Sequence, residues 1–168
     1  LPTYKTEKER EIAQFALALI DEYLPYGDGD WSFTIDRRSR RQHGYCEHNR
    51  RTGGGVIGVA AFIIEHASDD EIFDTVTHEI AHAICGPDEG HGTLWQNVHK
   101  ELGGNGERYA RAIPGAPKGR YRADCPACNK QGIAWRWRVA PTMKRATHNA
   151  CGLTVVWTDV ETGKRRDF

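Results

Sequence analysis

The stretch His78-Glu79-Ile80-Ala81-His82 constrains this chain more than any other five residues. Ser68 with Glu71 makes a capping box ahead of it, and Ile72, Val76, Ile80, Ala83 and Ile84 recur at helical spacing until Gly86-Pro87 stops the pattern. Residues four apart share a helix face, so the two imidazoles can bind one Zn²⁺. Glu79, one step round, is displaced from that pair and suits a general base that takes a proton from water and returns it to a leaving amine. With 8 His and 12 Glu in 168 residues, an accidental match is expected in roughly three of a hundred such sequences. The helical context argues further against accident, and the motif is that of a zinc peptidase.

Catalytic zinc takes three protein ligands and leaves one position open. His91 is the first choice for the third, because Gly86-Pro87-Asp88-Glu89-Gly90 supplies a turn that returns the chain to the metal. His99 is the alternative, and the two stand about 12 Å apart by helix rise, so one ion cannot take both. Asp88 and Glu89 read as solvated turn residues. The metzincin spacing would need a Gly and a third His where Cys85 and Asp88 stand, which disfavours that class. Cys46 and Cys85 read as small buried hydrophobes, and His43, His48 and His66 as surface or locally bonded residues.

A second cluster lies further on. Cys125-Pro-Ala-Cys128 and His148-Asn-Ala-Cys151 form two knuckles with the spacing of a four-ligand zinc ribbon. Four ligands fill a tetrahedral zinc, so this site is structural, with Asn129 and Gly152 suited to left-handed turns after each knuckle. Five cysteines, three of them grouped with a histidine, fit metal binding in a reducing compartment better than a disulfide framework.

The net charge of zero hides two modules. Residues 1 to 107 carry 10 Lys and Arg against 19 Asp and Glu, whereas residues 108 to 168 carry 13 against 4. A basic module of that size fits a polyanionic partner. Arg120, Arg122, Lys130, Arg136, Arg138, Lys144 and Arg145, interleaved with Tyr121, Trp135 and Trp137, are candidate contacts to nucleic acid, single-stranded in preference, although core packing competes for the indoles. No apolar run is long enough to span a bilayer, and Leu1 to Glu11 is charged where a secretory signal would be apolar. An intracellular protein, monomeric and without membrane contact, is expected.

The remaining pattern predicts an α+β fold. A helix starts at the Thr6/Glu9 capping box, turns Ile12, Phe15, Ala16, Leu19 and Tyr23 inward, and ends before Pro25. A Gly/Asp turn at Tyr26 to Asp30 precedes strands at Trp31 to Ile35, Tyr45 to Asn49 and Val56 to Ala60, expected as a small antiparallel sheet. A third helix is expected from Gly92 to Leu102 with Leu94, Trp95, Val98 and Leu102 inward, then a helical turn at Glu107 to Ala112. Strands at Ile133 to Val139 and Leu153 to Thr158 complete the ribbon. The expected domains are a catalytic one at 1–112, a basic linker at 113–120 and a ribbon at 121–168.

Taken together, Gly44-Tyr45-Cys46, Thr77-His78-Glu79-Ile80-Ala81-His82-Ala83, Gly90-His91-Gly92 with Trp95, and the ribbon resemble the SprT-like metalloproteases, a family that includes the Spartan proteases. The resemblance implies a zincin-like domain of three main helices on a small sheet, a catalytic zinc on His78, His82 and His91, and Glu79 as general base. It also implies protein substrates bound or crosslinked to DNA, cleavage stimulated by DNA, and self-cleavage. The departure is His148, where the family's second knuckle begins with Cys. Two other readings compete: a nucleic-acid-binding zinc protein with little or no protease activity, and a secreted general protease or cell-wall hydrolase.

Overall fold

The strand Gly55–Ala60 is the most apolar of the chain, and its last four residues are buried, so it belongs at the centre of a sheet. The computed structural model describes residues 3–24, 29–109, 112–116 and 118–166. The chain is α+β and divides into two compact units, Leu1–Ala116 and Pro117–Phe168.

In the first unit, α1 (Glu7–Tyr23) leads to β1 (Trp31–Asp36), β2 (Gly44–His48) and β3 (Gly55–Ala60), followed by α2 (Ala61–His66), α3 (Asp69–Cys85) and α4 (Thr93–Glu101). The sheet order is β1-β3-β2. β2 and β3 pair antiparallel as a hairpin, but β1 runs parallel to β3, so the sheet is mixed and not antiparallel as expected. The hydrophobic β3 inserts between its two predecessors, leaving the half-exposed β1 and β2 at the edges. α2 was hidden in the run Ala61-Phe62-Ile63-Ile64, all four buried, because a continuous apolar stretch has no period to distinguish helix from strand.

α1 buries Ile12, Ala13, Ala16 and Ile20 against this sheet, while Tyr23 lies exposed at its end. Its capping box is half made. Glu9 N–H donates to Thr6 Oγ1, but the Glu9 carboxylate accepts from Lys5 N–H and the Arg37 guanidinium. α3 has the complete box, with Ser68 and Glu71 each bonding the other's backbone N–H. In α4 the buried residues are Trp95 and His99, and Leu94, expected inside, is 54% exposed, since His99 and not Leu94 shares Trp95's inward face.

Residues 25–28, and 110 and 111 of the expected turn at Glu107 to Ala112, lie outside the described residues; the described part of that turn is not helical. Ile113 and Ala116, inside the expected linker, pack against the first unit's core.

The second unit is a four-stranded antiparallel sheet of order β5-β4-β6-β7, from β4 (Tyr121–Cys125), β5 (Lys130–Arg136), β6 (Val156–Asp159) and β7 (Arg165–Arg166). β5 begins and ends three residues before the expected strand. β4 shows strict alternation, with Tyr121, Ala123 and Cys125 buried. Tyr121 and Ala123 join Met143, Val155 and Trp157 in a small core, in which the Trp157 indole donates to the Met143 carbonyl at 3.1 Å.

Candidate metal centre

α3 carries His78 and His82 on the face it turns to a cleft of about 850 Å³, whose far wall is β2. The helix ends at Gly86, φ 86°, and Gly90 also adopts a positive φ of 62°; a side chain would be strained at either. Between them the chain reverses and delivers His91. The Nε2 atoms of His82 and His91 are 3.0 Å apart, and those of His91 and His78 3.1 Å.

Three imidazole nitrogens converging on one point fit a shared cation better than mutual hydrogen bonds, since a neutral ring offers one N–H. Ligands 2.0–2.1 Å from a tetrahedral zinc would stand about 3.3 Å apart, close to what is found. Burial, aided by repulsion among the rings, pushes the His78 imidazole down to about 3 and His82 to about 4, and lowers His91, so all three stay neutral and able to ligate.

Glu79, buried, lines the same cleft and reaches β2 at Gly44. Burial pushes its carboxyl up to about 8. A divalent cation nearby would favour its charged form again. Gly44 makes room for it: a Cβ there would stand 2.9 Å from Glu79 Cγ and Oε1, and 3.0 Å from the Gly58 carbonyl oxygen.

Trp95 is the floor of the triad. Fully buried, it lies 4.5 to 5.3 Å, ring to ring, from all three histidines, and its Nε1 donates to the His78 carbonyl at 3.4 Å. His99, the alternative ligand, is tied down elsewhere. Its Nδ1 accepts from Gly106 N–H, which leaves Nε2–H to donate toward the Asp74 carbonyl and Thr77 Oγ1, each at 3.2 Å. Sequence reasoning missed the positioning of His48, whose Nε2 lies 3.2 Å from the His82 carbonyl and so links β2 to the ligand helix. No periodicity marks such a contact between distant segments.

In the second unit Cys125, Cys128, His148 and Cys151 bring their ligand atoms within 4.8 Å of one another. Cys125 Sγ and Cys151 Sγ are 3.6 Å apart, near the roughly 3.8 Å that 2.3 Å Zn–S bonds in a tetrahedron require. Asn129, φ 50°, and Gly152, φ 71°, make the left-handed turns after each knuckle. Both ligand groups are consistent with zinc.

The seven candidate cations of the second unit divide into two sets. Arg120 bridges Asp159 and Glu161 at 2.8 and 3.2 Å, and Arg122 grips Asp124 with two bonds of 2.9 Å, so both carry ion pairs within the unit. Lys130, Arg136, Arg138, Lys144 and Arg145 are exposed. The register places Trp135 opposite Arg122, on the sheet face away from Tyr121 and Ala123.

The model of the SprT-like family matches residues 13–115, more than half of the chain. The chain belongs to the SprT-like family. Membership points to a zinc metalloprotease-like function, and the matched span of this SprT-like chain contains the triad, Glu79, Gly44 and Trp95. The ribbon lies beyond the match. No curated protein and no solved structure matches the chain. Among the described residues no helix is long and apolar enough to cross a membrane.

Proposed function

We propose that this SprT-like chain is a zinc-dependent endopeptidase of zincin-like fold that hydrolyses DNA-bound or DNA-crosslinked proteins, with the ribbon recruiting it to nucleic acid. The observation that carries the reading is the convergence of the His78, His82 and His91 Nε2 atoms beside a buried glutamate, in a cleft walled by a strand edge.

A zinc held by the three histidines would supply Lewis-acid polarisation of a peptide carbonyl and a lowered pKa for water. Glu79, beside Gly44, is placed to accept the proton of the attacking water and to hand it to the departing amine. The edge of β2 not paired with β3 can hold a substrate in extended form through backbone hydrogen bonds. Trp95 keeps water from the protein side of the triad and holds its rings in place. A second zinc, on Cys125, Cys128, His148 and Cys151, would have no open position and serve the ribbon's stability. Support for recruitment comes from the exposed cations of the ribbon and from Trp135.

Cleavage of a DNA-binding protein and of casein, each with and without single-stranded DNA, tests both halves of the reading. The expected result is DNA-dependent cleavage of the former, abolished by Glu79→Gln with zinc content and DNA binding retained. Equal turnover of casein without DNA would remove recruitment from the reading. Zinc-loaded protein that cleaves nothing would remove the peptidase.

A further inference from the structure

Beside the cleft of the histidine triad lies a second hollow of about 560 Å³, which shares His43, Asp74 and Thr75 with it as lining residues. Its apolar lining comes from Phe15, Phe73, Leu102 and Ile113. Phe15, Leu102 and Ile113 also pack on the core behind, but Phe73, on the ligand helix itself, is 41% exposed, and its ring meets Phe15 edge to face at 4.7 Å. Asp70, exposed, stands at the rim. The nearby Asp74 carboxylate is already taken by the backbone N–H and side-chain amide of Asn105, both at 2.8 Å.

Its distance from the reacting centre follows from β2. Gly44 abuts Glu79, and His43, the preceding residue, lines both hollows. Among the described residues no strand pairs with the second edge of β2. A polypeptide extended along that edge, advancing about 3.3 Å per residue, reaches the second hollow about two residues from a peptide bond held at the triad.

We propose that this hollow is a specificity subsite that takes one large apolar side chain of the substrate, Phe, Leu or Met, close to the bond to be cut. The proposal rests on the peptidase reading and deepens it. The occupant is apolar because four of the lining side chains are, and it is not acidic because Asp70 guards the rim. It belongs to the substrate because the hollow shares three lining residues with the cleft and lies off the end of the strand that would bind it.

The test uses the zinc-loaded full chain and fluorescent Ala/Ser decapeptides in which a single Phe, Leu or Glu is stepped along the sequence. Binding is read by polarisation and turnover by mass spectrometry. One position should favour Phe and Leu over Glu by about tenfold in binding. Phe73→Ser should erase that preference without changing the affinity of peptides that lack an apolar residue, and Phe73→Leu should keep it. Zinc content and thermal melting show that the variants are folded. Equal positional profiles for wild type and Phe73→Ser would overturn the subsite. Preference in binding without turnover would leave the subsite standing and remove the peptidase, so the two failures are told apart.

Discussion

A hydrogen atom in place of a methyl at position 44 is what lets the Glu79 carboxylate lie against β2. Gly44→Ala would push a Cβ into Glu79 Cγ, Oε1 and the Gly58 carbonyl oxygen, and β-sheet backbone cannot retreat cheaply. The expected outcome is a drop of about 10²-fold in kcat with zinc content unchanged, because sub-ångström displacement of a catalytic group is enough for that. Unaltered kcat would mean that Glu79 does not work from this position. Elsewhere in the unit, Glu9 is buried, and hydrogen bonds from Arg37 hold its carboxyl down at about 2 against an ordinary 4.5. A depressed folded value contributes stability that is complete above 4.5 and lost as pH falls through about 2. Glu9→Gln should therefore cost about 1–2 kcal/mol at neutral pH. In urea titrations the difference from wild type should shrink between pH 4.5 and 2. A constant difference across that window would show that the ionised pair is not its source.

At the scale of elements, α3 begins and ends on local chemistry: the Ser68/Glu71 box at one end, Gly86 at the other. Ser68→Ala removes the acceptor for Glu71 N–H, with an expected loss of about 1 kcal/mol measured by chemical denaturation and no effect on zinc binding. α4 is held by a different device. His99, fully buried, joins Gly106, Thr77 and the Asp74 carbonyl, so His99→Ala leaves polar groups unpaired as well as a cavity. A destabilisation of about 3 kcal/mol is expected while zinc stoichiometry stays at its wild-type value. Loss of one zinc without loss of stability would return His99 to the ligand set.

For the whole molecule, the sizes of the two cores predict that the units depend on metal to different degrees. The first has a large core of Ile12, Ile57, Ile63, Val76, Ile80 and their neighbours, built from side chains outside the histidine triad. The ribbon's core is Tyr121, Ala123, Met143, Val155 and Trp157, too small to hold 52 residues without help. A strong chelator should therefore expose Trp157, seen as a red shift in tryptophan emission, while far-ultraviolet circular dichroism retains the helical signal of the first unit. Simultaneous loss of both signals would show that the first unit also needs its metal to fold. Metal analysis should find about two zinc per chain, and about one in either His91→Ala or Cys128→Ser.

Short-range spacing was enough to reveal the helix with its two histidines and glutamate, the Ser68 cap, and both knuckles with their left-handed residues, because each of these depends on neighbours a turn or less away. The same reasoning left His91 and His99 as rivals, set Leu94 inside, made the sheet antiparallel and overlooked α2. Those questions concern which segment packs against which. Helical periodicity gives the direction of a side chain relative to its own axis, not what it meets. The burial of β3 on both sides decided the strand order, and the return of the chain after Gly86 is what brings His91, and not His99, together with His78 and His82. The sequence by itself determined the helix that carries His78, Glu79 and His82 and the spacing of the two knuckles; only the tertiary structure decided that His91 joins the first group and that β2, Gly44 and Trp95 surround it, since those contacts join segments that no local interaction brings together.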